Sequence, residues 1–287
     1  MKEQMTNPYN GPQRIVCLTA ETAETLYLLG EDERIVGISG FTSRPKAALQ
    51  KPKVSTFTSA KIDQILDLRP DLAIGFSKLQ AQMAYDLIKA GVAVLVFNQQ
   101  SVEDVLETIV TLSRLVAAEA RGLALAGQLR SELALIAESA GRFKRRPRVY
   151  FEEWMDPLIS GIRWVEELVE LAGGDPVFLK LRFERNAKSR AVTSEAVIAS
   201  NPEVIFASWC GRKVDKHKIR EREGWNAIAA IQTGHLYEIT SSFILQPGPA
   251  SLTEGARQLH RILAKVVNCE PLEGLEPSEP LDPEFTP

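Results

Sequence analysis

The chain has 287 residues, 45% hydrophobic and 25% charged, with a formal net charge of −3. It is long enough for one large core or two modest ones, and so small a charge gives no electrostatic reason to bind nucleic acid or an anionic membrane. No apolar run approaches a membrane span, and Cys17, Cys210 and Cys269 are too few and scattered for a disulfide framework.

Residues 1–12 read as a flexible arm without an apolar signal segment, so a cytoplasmic location is the expectation, or a periplasmic one if the true start lies elsewhere. Arg14 to Leu18 is a strand candidate. Thr19 is placed to cap a helix from Ala20 to Leu29, with Glu21 and Glu24 in its early turns and Gly30 ending it. Arg34 to Ser39 is the next strand. A short helix from Asp63 then stops before Pro70, and Leu72 to Gly75 forms a strand. A helix from about Gln80 to Ala90 leads through Gly91 to the strand Val92–Phe97. Strands alternating with helices predict an α/β unit with a mostly parallel sheet over residues 13–100.

Residues 101–146 hold no proline until Pro147, and their apolar positions, from Val102 through Ile136, recur at helical spacing. They predict a helical connector, either one rod or two helices broken near Gly122. Residues 147–268 repeat the first order: strand Arg148–Phe151, helix Trp164–Leu171, a short helix, strand Val204–Ala207, strand segment Gly234–Ile239 and a last helix Leu252–Val267. Residues 269–287 are Pro- and acid-rich and are expected to be disordered.

The two halves share a sequence pattern. Asp63–Leu72 returns as Glu195–Val204, an offset of 195 − 63 = 132 without a gap. That period is too long for a solenoid repeat and implies two similar lobes with a cleft, a favoured place for a small molecule.

Ligands of open α/β sheets gather at the carboxyl ends of strands. In the first lobe those positions hold Thr19, Glu21, Phe41, Phe57, Phe76, Ser77 and Asn98. In the second they hold Trp154, Asp156, Trp209, Cys210 and Phe243, with Trp164 nearby. Tryptophan suits a flat, mostly apolar ligand with a polar rim, although each could equally pack the lobe interior. Glu152, Glu153 and Asp156 form an acidic cluster that is either a proton-transfer group or a solvated strand-end loop with an Asp-Pro turn. His217, His235 and His260 sit at no metal-ligand spacing, and neither a phosphate loop nor a G-x-S-x-G elbow is present. The run from Lys213 to Glu223 reads as a solvated helix face. These readings name no catalytic residue and no metal ligand.

The stretch Glu153-Trp154-Met155-Asp156-Pro157, followed by Gly161, Trp164, Glu167-Leu168-Val169 and Ala172-Gly173-Gly174, resembles the cobalamin-binding branch of the class III substrate-binding proteins of ABC importers. Cys210-Gly211 and Gln246-Pro247-Gly248-Pro249 carry the same resemblance, which spans roughly residues 13–266. It implies two Rossmann-like lobes joined by a long backbone helix. It also implies non-catalytic binding of a corrinoid, no required cofactor, a monomer, and an ABC permease as partner. Asp63 and Glu195 match the acids that such proteins offer to permease arginines; helix capping alone would also explain them. The same fold binds ferric siderophores or haem, for which Arg44, Lys78, Arg163 and Arg212 are candidate anion contacts. A third reading is a tetrapyrrole-processing enzyme that uses Glu152, Glu153 or Asp156.

Overall fold

The protein is described here by a computed structural model that covers residues 11–276. These fall into two compact units: residues 11–99 with 104–128, and residues 100–103 with 129–276.

Unit 1 holds β1 (Ile15–Cys17), α1 (Ala20–Leu28), β2 (Ile35–Ser39), β3 (Lys53–Ser55), α2 (Ile62–Asp67), β4 (Leu72–Phe76), α3 (Ala81–Lys89) and β5 (Val94–Phe97). The strands form one parallel sheet in the order β3-β2-β1-β4-β5. Successive side chains alternate between faces, so Ile15 and Cys17 join one apolar cluster while Val16 and Leu18 join another. Both faces are covered, which is why β1 reads as an unbroken apolar run.

The helical stretch that follows is α4 (Val102–Leu115) and α5 (Glu119–Ala140). The break lies at Ala117, whose φ is +57°, and not near Gly122. Gly122 is helical, and a Cβ there would overlap Ser113 Oγ. Its missing side chain lets α5 pass close to α4. Residues 119–128 of α5 belong to unit 1 and residues 129–140 to unit 2.

Unit 2 continues with β6 (Arg148–Met155), β7 (Leu158–Ser160), α6 (Arg163–Leu171), β8 (Asp175–Pro176), α7 (Ser194–Ser200), β9 (Val204–Ala207), α8 (Lys216–Arg220), α9 (Ala229–Gln232), β10 (Leu236–Glu238), α10 (Ser241–Ile244) and α11 (Ala256–Val266). Its sheet runs β10-β9-β6-β7, with β8 also on β6; β7 alone is antiparallel. A π turn over Ser251–Gly255 leads into α11, which therefore starts later than the predicted Leu252.

The repeat seen in the sequence is also a repeat of hydrogen bonds. Arg69 (φ +48°) and Asn201 (φ +43°) both leave the helix in the left-handed region, because a following proline excludes the right-handed one. Asp71 accepts the Gln13 and Arg14 N–H groups at 2.6 and 3.0 Å, and Glu203 accepts the Arg148 N–H at 3.0 Å. The Arg14 guanidinium holds the Leu68 and Arg69 carbonyls, and Arg148 holds that of Asn201. Each unit thus uses an arginine at a strand start to satisfy the open carbonyls of a helix end.

The described part of the tail, residues 269–276, is not disordered as expected. Through residue 276 it packs on unit 2: Leu275 is fully buried, and the Leu272 N–H donates to Ser139 Oγ at 2.9 Å. Two leucines among the prolines and acids supply the apolar anchor. Residues 277–287, like residues 1–10 of the expected arm, lie outside the described residues.

Candidate functional site

In unit 1 all five strands are parallel, so their carboxyl ends share one edge. Phe41 is 40% exposed there, Phe57 is half-buried and Asn98 is exposed. Phe76, Ser77, Thr19 and Glu21 are buried. Thr19 does not cap α1 through its side chain; its hydroxyl lies 3.1 Å from that of Thr22. Burial pushes the Glu21 carboxyl up to about 7, against the opposing bonds from its own N–H and from Thr19. Ser77 has φ +63°, a strained backbone for a residue with a side chain, and its hydroxyl accepts the Leu79 N–H at 3.3 Å. Arg44 is engaged with Glu24 at 3.0 Å.

Gln80, which the sequence reading passed over, ties this edge together. Its side chain donates to the Leu18 and Phe57 carbonyls, each at 3.2 Å, and accepts the Phe76 N–H at 3.0 Å. One amide therefore links the end of β1, the Phe57 loop and the end of β4.

Unit 2 departs further from expectation. β6 runs on to Met155 because it pairs with β7, so Glu152, Glu153 and Trp154 lie inside a strand and not in a solvated loop. Successive residues point to opposite faces, and each acid meets its own arginine. Glu152 is fully buried and takes Arg222 at 2.5 and 2.9 Å. Glu153 takes Arg190, itself buried, at 2.6 and 3.0 Å. Arg222 is thus turned inward from a run read as a solvated face. Asp156 is exposed at the turn into β7. Both glutamates are locked in ion pairs, so neither is a free proton acceptor of the kind the enzyme reading needs.

The tryptophans divide. Trp164 is 2% exposed and donates to the Ile244 carbonyl at 3.0 Å. Trp209 is 3% exposed, lies in the unit's apolar cluster and donates to Glu152 at 3.1 Å. Both are packed and hydrogen-bonded within unit 2, with no face open to a guest. Trp154 is half-buried, with the Arg212 guanidinium 6.0 Å from its ring centroid. Cys210 is exposed and Phe243 half-buried. Desolvation, then the Glu153 charge, raises the Cys210 thiol above its ordinary pKa, so it is not an activated nucleophile.

After β8, which pairs with the first two residues of β6, a 3-10 turn, Leu179–Phe183, presents Phe183 at 69% exposure, with Arg163 and Arg182 5.6 and 5.8 Å from its ring centroid. No strand or helix signal marked it; an aromatic amid Lys180, Arg182 and Arg185 was the only cue.

Among the described residues no three His, Cys, Asp or Glu gather to hold a metal ion, and no helix is long and apolar enough to cross a membrane. An open groove of about 590 Å³ lies at the opposite end of unit 2, lined by Ala137, Gly141, Arg146, Glu167 and Glu170 among others. Glu167 and Glu170 are paired with Arg163 and Arg182.

The profile of the family "Periplasmic binding protein" matches residues 15–243, most of the described chain. The chain belongs to that family. It is a substrate-binding protein and not an enzyme, with the class III fold of two α/β units. A vitamin B12-binding protein of Vibrio parahaemolyticus is 25% identical over 247 residues, covering 84% of this chain and 86% of its own. An ABC transporter substrate-binding lipoprotein of Bacillus subtilis is 26% identical over 263 residues, covering 86% and 79%. A periplasmic haem-binding protein from Pseudomonas aeruginosa superposes with a TM-score of 0.77 at 20% identity, over 91% of this chain and 95% of its own. That last likeness establishes the fold and leaves the ligand open.

Proposed function

We propose that this family member binds a corrinoid, without turnover, at the strand-end edges of its units and delivers it to an ABC permease. The observation that carries the reading is the chemistry of those edges. Phe41, Phe57, Trp154 and Phe243 keep surface accessible there, while Glu152 and Glu153 are held in ion pairs. Aromatic faces with a polar surround suit a large, flat, mostly apolar guest. The vitamin B12-binding relative supports the choice of a corrinoid.

Asp63 and Glu195 are exposed in the first turns of α2 and α7, one in each unit. Thr193, not Glu195, supplies the side-chain cap of α7, at 3.2 Å from the Ala196 N–H. The Glu195 carboxyl also takes bonds from its own N–H and from Thr193, which lower its pKa, and it remains exposed; Glu195 and Asp63 are both proposed to meet permease arginines.

A second reading, a haem or an anionic iron chelate, is favoured by the arginines around Phe183 and Trp154. Titrating the purified chain with cyanocobalamin, haemin and a ferric siderophore, followed by visible absorbance and tryptophan fluorescence, tests both. The corrinoid is expected to bind in the micromolar range or tighter, with less salt dependence than an anionic chelate. No corrinoid binding below the millimolar range removes the first reading, and salt-sensitive binding of an anionic chelate alone installs the second.

A further inference from the structure

We propose that Arg212 is the ligand-facing cation of unit 2: it rests on Trp154 when no guest is bound and receives an anionic group on the rim of a planar guest. The inference rests on the function proposed above and adds a chemical requirement to it, a carboxylate or phosphodiester attached to the macrocycle.

The turn that carries Arg212 is fixed from below. Trp209 is buried and bonded to Glu152, the Arg212 N–H donates to the Trp209 carbonyl at 3.1 Å, and the Gly211 N–H reaches Ser241 Oγ at 3.4 Å. Gly211 has φ +69°, which lets the chain reverse there. The Arg212 side chain is exposed above this base and lies against the accessible face of Trp154.

The charge balance around the turn singles it out. Arg222 is matched by Glu152, Arg190 by Glu153, Arg163 by Glu167 and Arg182 by Glu170. Among the described residues no carboxylate comes within 4.0 Å of the Arg212 guanidinium. Its planar fork keeps paired N–H donors in the geometry that carboxylate and phosphate oxygens take up two at a time. A cation–π contact at an exposed site is weak enough to be exchanged for such a bond. When the guanidinium swings onto an anion, the indole face it covered is free for the macrocycle. Stacking on Trp154 of β6 and charge pairing with Arg212 of the turn then come from neighbouring side chains.

The test uses the full chain, wild type and Arg212→Gln, with three probes. Cyanocobalamin carries a phosphodiester, dicyanocobinamide lacks it, and haemin carries carboxylates. Affinity is read by calorimetry and by tryptophan fluorescence at two salt concentrations. The anionic probe that binds is expected to lose roughly tenfold to a hundredfold in affinity in Arg212→Gln, and Arg212→Lys to recover part of it. A probe without the anion is expected to bind both chains alike. Equal affinity of both chains for every probe that binds overturns the inference and leaves the proposed function standing. No binding of any probe to the wild-type chain overturns the function and the inference together. Matching thermal melts of the variants confirm that folding is unaffected at this exposed position.

Discussion

Glu166 gives the sharpest energetic test of unit 2. It lies buried on α6, close enough to Gly161 that a Cβ there would strike its carboxyl. Burial raises its pKa from 4.5 to about 8, although Arg182, Arg190 and the Gly161 N–H all pull it down. The folded state therefore holds this proton more tightly than the unfolded chain does. Its contribution to stability is full below pH 4.5 and is lost as pH rises through 8. At pH 7 the loss is about 1.4 kcal/mol for each of roughly 2.5 pH units above the unfolded value, or about 3 kcal/mol. Glu166→Gln keeps the size and the acceptor oxygen but cannot ionise. It should match wild type near pH 4 and exceed it by about 3 kcal/mol at pH 7. All four tryptophans lie in unit 2, so urea unfolding followed by tryptophan fluorescence reports this unit specifically. A difference between the two proteins that stays constant from pH 4 to pH 7 would refute the reasoning.

Arg222→Ala strands the Glu152 carboxylate in the core and should destabilise unit 2 by about 3–5 kcal/mol; an unchanged urea midpoint would show that the pair is not buried as described. Gly122→Ala should lower the stability of unit 1 by roughly 1–3 kcal/mol, read by calorimetry, and adding Ser113→Gly should restore most of it. Burial lowers the His260 pKa, so the neutral ring's contribution is present above 6.5 and lost as pH falls through its folded value. Because His260 Nε2 and the Leu272 N–H share Ser139 Oγ, the protection factor of the Leu272 amide, its exchange rate corrected for the intrinsic pH dependence, should fall on acidification; equal protection factors at pH 7 and pH 5 would contradict this.

The alternation of strands and helices was legible because hydrophobic periodicity is local, and the paired Pro70 and Pro202 made the duplication plain. What escaped was non-local. Glu152 and Arg222 are 70 residues apart, and Glu153 and Arg190 are 37 apart, so nothing near the acids announced that they are neutralised. The inward turn of Trp164 and Trp209 depends equally on distant partners, the Ile244 carbonyl and Glu152. β7 and β8, of three and two residues, are too short to carry a periodic signal, and without β7 the true length of β6 could not be seen. The break at Ala117 has no Gly or Pro to mark it, whereas Gly122, which does catch the eye, serves close packing. Phe41, Phe57, Trp154 and Phe243, chosen by their positions near strand ends, all keep some exposure.

The most direct test is native mass spectrometry of the chain after incubation with equimolar cyanocobalamin, haemin and a ferric siderophore together. The account predicts a one-to-one complex with the mass of the corrinoid, persisting at high salt. A spectrum with only the free chain, or with haem or the iron chelate in the corrinoid's place, would contradict it.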